Sequence, residues 1–456
     1  MPSRNSSIAE RPNILLLFPD QHRHDWLPNA PDLPLRMPHL AGLMARGVQF
    51  VNAVTPSPIC APARACLASG RDYDACGVPN NQVNYPLHQE TLYQRLRATG
   101  YRVGGVGKFD LHKATQDWGL DGRRLLPEWG FTDGIDNEGK IDAVSSGAER
   151  PAGPYMAYLH REGLAATHVA DFAARHGKLP SYTQTRPTPL PEEAYCDNWV
   201  ARNALDVLAG FEPGRPWYLA VNFTGPHNPM DVTAEMQHRW RDVAFPPPVA
   251  GQEPSQEPGQ EFDAETHQRV RRNYAAMLEN IDRHIGRLLA AVAARGELER
   301  TLVVYSSDHG EMLGDLGRWS KSTWHHPSMG VPMVVSGPGV RAGVTSDALV
   351  SLQDLTATFL DCAGAGPLPG MDGRSLWPIL RGAAVAHRPH VRCGLDDWRA
   401  VDDGRFKLVR TGEAHLLYDR GADPNELTDV AGQHPDEVNR LARLLRVPSW
   451  EEVFNV

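Results

Sequence analysis

The sequence predicts an α/β fold: a large mixed, mainly parallel sheet between helices, followed by a small C-terminal antiparallel sheet with a helix. Short apolar runs alternate with helical periodicity, which is typical of buried strands connected by helices. The composition, 41% hydrophobic and 22% charged, is that of a globular protein. The 456 residues exceed the needs of one small core, so we expect a larger α/β unit over 1–370 and a smaller α+β unit over 371–456.

The first part of the larger unit contains two strands and two helices. The apolar run Asn13 to Phe18 predicts the first strand, and Pro38 to Arg46 predicts a short helix. A second helix, about Glu90 to Ala98, leads into the strand Tyr101 to Val106. A glycine closely follows each helix, as is common at helix ends.

The second part of the larger unit repeats this alternation. A helix from about Ala194 to Leu208 precedes the strand Trp217 to Phe223. A long amphipathic helix then leads into the strand Thr301 to Tyr305. Its apolar face is predicted from helical spacing, and it consists of Val270, Tyr274, Met277, Ile281, Ile285 and Leu288.

Two segments of the larger unit show no regular period, and we predict that both are loops. They are Asn137 to Arg161 and the Pro-, Gly-, Gln- and Glu-rich stretch Pro246 to Gln260. After Gly370 the pattern changes to short alternating strands. The predicted strands are Trp398 to Val401, Phe406 to Arg410 and Leu416 to Asp419, followed by a helix from about Asp436 to Leu445.

Charge and cysteine content limit the cellular role. The net charge of −9 argues against a nucleic-acid partner, whose phosphates would require an excess of Lys and Arg. The polar start, Met1 to Glu10, and the short apolar run after it predict a cytoplasmic protein without a membrane partner. The six cysteines form no CxxC pair, so we expect reduced thiols. Homo-oligomerisation is left open.

Two predicted strands each end in an acidic residue followed by a second metal-ligand type. Asp20 and Gln21 follow the first strand, and Asp308 and His309 follow the strand that ends at Tyr305. The carboxyl ends of strands are where α/β folds place ligand sites. Either pair alone would more often be a turn or a helix cap. Together they predict a site for one divalent metal ion.

The segment around Cys60 predicts an anion site at a helix N-terminus. Pro62 suits the first turn of a helix and Gly70 its end, so Cys60 should lie just before the helix. Free backbone amides and the helix dipole favour an anion there, and Arg64 adds a positive charge. A buried structural cysteine is the alternative interpretation.

The same segment, Cys60-x-Pro62-x-Arg64 followed by Ser-Gly-Arg, resembles the signature of the sulfatase family. The resemblance implies an alkaline-phosphatase-like core in the larger unit. It also implies that a formylglycine-generating enzyme oxidises Cys60 to formylglycine, whose hydrate is the nucleophile and which Arg64 stabilises. The similarity extends from Asn13 to the last predicted strand, near Asp419.

The resemblance places the metal at the same two strand ends, with the modified Cys60 completing the ligand shell. Many members of the family carry two acids at the first strand end, where this chain has Asp20 and Gln21. Calcium is expected first. Manganese is kept as the second expectation, because the imidazole of His309 is less typical of a calcium site.

Three basic residues match family positions that bind the sulfate group or assist the leaving group. They are Lys108 in Gly-Lys-Phe-Asp, His227 in Gly-Pro-His-Asn-Pro and Lys321 in Trp-Ser-Lys-Ser. Taken singly, a surface Lys or a loop His would be the better interpretation.

Two further positions match the family less directly. In many relatives a histidine lies two residues after the lysine, where this chain has Asp110, and His112 comes two residues later. Either His112 performs that role or Asp110 has a different one. Asn81 matches, by its spacing from Cys60, a substrate contact of the phosphonate-cleaving branch, although asparagine is also a common turn residue.

The resemblance implies an arylsulfatase-like hydrolase of small anionic sulfuric esters that acts through a covalent sulfo-enzyme intermediate. Lys108, Lys321 and Arg64 would neutralise charge on the transferred group, His227 would assist the leaving oxygen, and His112 would accept the proton that releases sulfate. A phosphonate monoester hydrolase or phosphodiesterase with the same residues is the first alternative. A catalytically inactive anion-binding protein is the second.

Overall fold

The computed structural model describes residues 11–176, 181–251 and 262–445, which form two sheets. Strands of the larger sheet are β1 (Asn13–Asp20), β2 (Gly47–Val54), β3 (Arg102–Gly107), β4 (Asp133–Asp136), β5 (Trp217–Pro226), β6 (Thr301–Ser306), β7 (Met333–Ser336) and β8 (Val344–Ser351). The smaller sheet consists of β9 (Val391–Leu395), β10 (Trp398–Asp402), β11 (Phe406–Thr411) and β12 (Ala414–Asp419).

Fourteen α-helices connect and cover these strands in the described residues. They are α1 (Pro38–Ala45), α2 (Cys60–Ser69), α3 (Leu92–Ala98), α4 (Leu126–Trp129), α5 (Lys140–Gly147), α6 (Pro154–Arg161), α7 (Ala165–His176), α8 (Cys196–Ala209), α9 (Ala234–Trp240), α10 (Ala264–Ala294), α11 (His326–Met329), α12 (Asp354–Cys362), α13 (Trp377–Leu380) and α14 (Pro435–Ala442).

The larger sheet is mixed and mainly parallel, which confirms the predicted fold class. Its strand order is β4-β3-β5-β1-β6-β7-β2-β8, and β7 pairs antiparallel with both β6 and β2. Every residue of the central strand β1 is buried. Leu15 and Leu17 belong to one core and Ile14, Leu16 and Phe18 to the other, so successive side chains of β1 pack against helices on opposite faces.

Helix α10 has the apolar face that its spacing predicts. The predicted face residues all have 0% exposure and pack into one of the two large cores. Burying a side chain such as Leu288 contributes about 1.5–3 kcal/mol relative to leaving it in water. Asp263 caps the helix through its side chain, which accepts a hydrogen bond from the Thr266 N–H at 2.7 Å.

The predicted loop over Asn137 to Arg161 is wrong, because this stretch contains α5 and α6. Each helix has only eight residues, which is too short for a clear 3.6-residue period. Short helices depend on tertiary packing for stability, and Tyr155, Met156 and Leu159 of α6 are buried in the core. The other predicted loop lacks helix and strand over 246–251, and its remainder lies outside the described residues.

The C-terminal unit is an antiparallel sheet with a helix, as predicted, and β9 is an additional strand. One face of this sheet packs against the larger unit, where Trp398 and Val409 share a core with Val54. Helix α14 covers the other face through Leu441. Helix α13 packs in a core of the larger sheet, and the boundary at residue 370 stays a prediction.

Two expectations about the whole chain concern thiols and membranes. All six cysteines are free thiols, and all but Cys362 are buried. Over the described ranges 11–176, 181–251 and 262–445, no helix combines the length and the apolar character that crossing a bilayer requires.

Candidate active site

The candidate site lies at the carboxyl ends of the two central strands. Strands β1 and β6 pair in parallel, with Leu17 opposite Tyr305, so their last residues emerge side by side. Asp20, Asp308, His309 and the first residue of α2, Cys60, are all buried there. One ligand atom from each of the four lies within 4.8 Å of the others. The two strand-end pairs and the cysteine therefore meet at one point.

Cys60 is the first residue of α2, whereas the prediction placed it just before the helix. Charged side chains surround its thiol. Its Sγ lies 3.3 Å from His309 Nε2 and 3.9 Å from Asp20 Oδ1. Burial and Asp20 raise the pKa of the thiol, but Lys108, Lys321 and His309 outweigh them and lower it to about 6. The site thus stabilises negative charge on the side chain at position 60.

Arg64 and Lys108 neutralise the two buried carboxylates. Arg64, one turn after Cys60 on α2, lies 3.2 Å from Asp20 Oδ2 and 2.9 Å from Asp308 Oδ2. The Lys108 ammonium contacts Asp20 as well. Burial raises the pKa of Asp20, yet Lys108 and nearby cations hold it well below its usual value. Asp20 is therefore ionised, and the carboxylates of both acids contact the same buried guanidinium.

The position of Lys108 depends on the glycine before it. Gly107 ends β3 with φ +114°, and a Cβ at this residue would collide with the carbonyl oxygen of Asn222 on β5. The Lys108 N–H donates to the same oxygen at 3.0 Å. Glycine therefore lets β3 and β5 approach closely where the chain turns into the site.

His227 and Lys321 form a second pair on a partly exposed side of the site. His227 Nδ1 lies 2.6 Å from the carbonyl oxygen of Asn228, so this nitrogen carries the hydrogen. Its Nε2 lies 2.6 Å from the Lys321 ammonium, which can only donate. Burial and the charge of Lys321 lower the pKa of His227 well below its usual value. His227 Nε2 is therefore the acceptor in this contact and Lys321 the donor.

Gln21 is held at both ends of its amide. Its Oε1 accepts a hydrogen bond from Lys321 Nζ, and its Nε2 donates to Glu311 and, at 3.0 Å, to the Tyr182 hydroxyl. The backbone has φ +71°, a strained value for a non-glycine residue. The Gln21 N–H donates to Asp308 Oδ1 at 3.0 Å, which ties this turn to the metal-ligand candidates.

His112 contacts Asp136 rather than the four clustered residues. Its Nε2 lies 2.8 Å from Asp136 Oδ2, and its ring packs against Trp118 and Trp129. Burial lowers the pKa of His112, but Asp136, together with the charges of Asp110 and Asp117, raises it overall. His112 Nδ1 is buried without a hydrogen-bond partner in the described part of the chain. Asp136 thus orients this imidazole and leaves one nitrogen free.

Asp110 is the residue that extends the charged cluster. Its carboxylate lies 3.0 Å from the Lys108 ammonium and 3.3 Å from that of Lys113. The second contact of Lys113 is Asp142 on α5. At the position two residues after Lys108, Asp110 therefore forms ion pairs with two lysines.

Asn81 lies against the start of α2. Its Oδ1 accepts a hydrogen bond from the Ala61 N–H at 3.0 Å, which satisfies one of the free amides at the helix N-terminus. This contact holds the helix turn that carries Cys60. The structure thus gives Asn81 a structural contact beside the substrate contact that its spacing suggests.

Replacing Asn81 with alanine is expected to lower the free energy of unfolding by about 1 kcal/mol, the usual cost of losing a helix-capping acceptor. Urea denaturation of the full chain measures the change. Asn80→Ala is the matched control, because the Asn80 side chain accepts a hydrogen bond from the Gln82 N–H in an exposed turn. Equal stability of the two variants would show that the cap at Ala61 contributes nothing.

The donor geometry fits a divalent metal ion. His309 Nδ1 lies 3.0 Å from the carbonyl oxygen of Gly310, so this nitrogen carries a hydrogen and Nε2 is the ring atom that faces Cys60 and the two acids. That Nε2 lies 3.7 Å from both Asp20 Oδ1 and Asp308 Oδ2. Lone pairs of one imidazole and two carboxylates thus converge, an arrangement that a cation stabilises.

Sequence reasoning missed three residues of this site. Glu311 follows His309 by two positions and could have been found as a further acid at the same strand end. Tyr182 and Asp136 gave no signal of their own, because each reaches the site through contacts with residues distant in sequence.

Comparisons with known proteins cover both units. The family model described as Sulfatase matches residues 12–365, and one described as N-sulphoglucosamine sulphohydrolase, C-terminal, matches residues 314–446. A choline-sulfatase of Rhizobium meliloti is 28% identical over 98% of this chain and 88% of that protein. An arylsulfatase of Clostridium perfringens is 24% identical over 95% and 94%.

A solved structure shows the same fold. The phosphonate monoester hydrolase of Agrobacterium radiobacter matches with a TM-score of 0.78 and 22% identity, over 95% of this chain and 94% of that one. The match spans the large sheet and the C-terminal unit alike.

Proposed function

This chain belongs to the sulfatase family, and from that premise we propose that it hydrolyses small sulfuric esters of the arylsulfatase type. The observation that carries the proposal is the convergence of Cys60, Asp20, Asp308 and His309 within 4.8 Å. A formylglycine made from Cys60 would supply the nucleophile, and one divalent metal ion would supply positive charge beside it.

Asp20, Asp308 and His309 would hold the metal, with residue 60 and the Gln21 oxygen as further ligands. Calcium remains the first expectation and manganese the second, because the set combines carboxylate oxygens with one imidazole. The buried Arg64 neutralises whatever charge the metal leaves on the two acids. Elemental analysis of the purified protein tests the identity of the metal.

The remaining residues would act on the substrate through charge and proton transfer. Arg64 and Lys108 are buried cations, suited to stabilise charge that develops on the transferred group. Lys321 and His227 are joined by a hydrogen bond, so this pair would supply a proton to the departing oxygen. His112, oriented by Asp136 with Nδ1 free of partners in the described residues, is suited to accept a proton.

Mass spectrometry of the peptide that contains Cys60 tests the nucleophile. Oxidation of the thiol to the aldehyde lowers the mass by about 18 Da, the difference between CH₂SH and CHO, and requires a formylglycine-generating enzyme in the host. We expect the aldehyde in active preparations. An active preparation that contains only the thiol would refute the assignment, and an inactive protein with the thiol in every host would favour an anion-binding homologue.

A phosphonate monoester hydrolase or phosphodiesterase is the second candidate, because Gln21 beside Asp20 and His309 beside Asp308 also resemble that branch. Comparing kcat/KM for an aryl sulfate and a phosphonate monoester on one preparation separates the two. We expect the sulfate ester to react faster, and a dominant phosphonate rate would overturn that label. A cytoplasmic location and any homo-oligomer stay predictions.

A further inference from the structure

The Gln21 amide is enclosed by partners that fix its orientation. On one side is the ammonium of Lys321, which can only donate hydrogen bonds. On the other side is the Glu311 carboxylate, which can only accept them when ionised. Reversing the amide would place two donors together at Lys321 and two acceptors together at Glu311. The Oε1 atom therefore faces Lys321 and the Nε2 atom faces Glu311.

Glu311 is held in turn by four donors. Its Oε1 accepts hydrogen bonds from the N–H groups of Leu313, at 2.9 Å, and Ser320, at 2.7 Å. Its Oε2 accepts from Gln21 and, at 3.0 Å, from the Tyr182 hydroxyl. Donors thus approach both oxygens of this carboxyl group.

Tyr182 completes this arrangement. Its hydroxyl lies 3.0 Å from Gln21 Nε2, so both hydrogens of that amide nitrogen have acceptors. The same hydroxyl lies 3.2 Å from Asn228 Oδ1, next to His227. Its ring packs against Trp319, two residues before Lys321, with centroids 5.5 Å apart. Through Tyr182, the Gln21 amide is therefore connected to the two segments that carry His227 and Lys321.

We infer that Glu311, assisted by Tyr182, is a positioning residue that keeps the Gln21 carbonyl oxygen available as a ligand for the divalent cation. The inference rests on the proposed function, since it concerns the metal of the same site. Both oxygens of a carboxylate can bind a metal, whereas an amide has only one usable end.

Glu311→Gln tests this inference with little change in shape. The oxygen of the introduced amide can still accept from Leu313 and Ser320, but its NH₂ group then meets the NH₂ group of Gln21. Either amide can turn only by creating another pair of donors. We expect the affinity of metal-stripped full-length protein for Ca²⁺ and Mn²⁺, measured by calorimetry or chelator competition, to fall about tenfold or more.

Two further variants separate orientation from simple loop anchoring. Gln21→Glu combined with Glu311→Gln exchanges the two groups, so that the NH₂ group at position 311 donates to the carboxylate at position 21 and the total charge is conserved. We expect this double variant to bind the metal at least as tightly as the wild type. Glu138→Gln is the matched control, a buried glutamate that accepts from the N–H groups of Tyr155 and Met156.

Each outcome decides a different point. Unchanged metal affinity in Glu311→Gln, with normal binding by the wild type, would overturn the inference alone. Weak binding by both the single and the double variant would assign Glu311 to loop anchoring and overturn the orientation. A wild type that binds neither cation would overturn the metal site of the proposed function and this inference with it. Loss in the single variant and recovery in the double variant support the inference.

Discussion

Cys60→Ser should lower kcat/KM for an aryl sulfate by at least about a thousandfold, since removing a covalent nucleophile costs that much or more. The serine hydroxyl replaces the sulfur with little change in shape, so contacts with Asp20 and His309 are kept. A serine has one hydroxyl, whereas a hydrated aldehyde has two, and the second is required to release sulfate in the proposed reaction. Steady-state kinetics measures the loss.

Cys66→Ala is the control for this variant. Cys66 lies on the same helix, is also buried, and lies outside the group of four clustered residues. We expect it to retain turnover within about threefold and to lose some stability through a small cavity. Wild-type turnover in Cys60→Ser, with an unmodified serine in the mass spectrum, would exclude the aldehyde mechanism.

The sequence was sufficient to predict the central strands and the long helix of the larger unit. Strands such as β1 are continuous apolar runs, because helices cover both faces of the sheet. Strand β7 was not predicted, since its four residues carry too little periodicity. It also runs antiparallel between β6 and β2, which are far apart in the sequence. Helices α5 and α6 were missed for a related reason, because packing rather than pattern stabilises them.

The site was predictable where residues lie at strand or helix ends. The positions of Asp20, Asp308 and Cys60 follow from local pattern and from the parallel pairing of β1 and β6. The contact between His112 and Asp136 joins residues 24 positions apart, and that between Gln21 and Glu311 spans 290 residues. No local pattern encodes such contacts, so they require the structure.

Asp308→Asn should weaken divalent-metal binding by more than about a hundredfold, beyond the cost of losing a partner outside the ligand shell. The asparagine oxygen can still accept from the N–H groups of Gln21 and His309, which lie 3.0 Å from Asp308 Oδ1. The new NH₂ group, however, faces the guanidinium of Arg64, 2.9 Å from the other oxygen. The variant thus removes the negative charge of a proposed metal ligand and places two hydrogen-bond donors, the new NH₂ group and the Arg64 guanidinium, against each other. Calorimetry with Ca²⁺ and Mn²⁺ measures the loss.

Asp282→Asn controls for removing a buried carboxylate as such. Asp282 has 1% exposure and accepts from the N–H groups of His39 and Leu40 at the start of α1. We expect its metal affinity to stay within about threefold of the wild type, because Asp282 is not one of the four clustered residues and its hydrogen bonds are with the start of α1. If both variants lost affinity equally, general destabilisation would explain the loss. If Asp308→Asn kept full affinity for the metal ion, Asp308 would not be a ligand. Asp20 and His309 would then have to bind the ion without it.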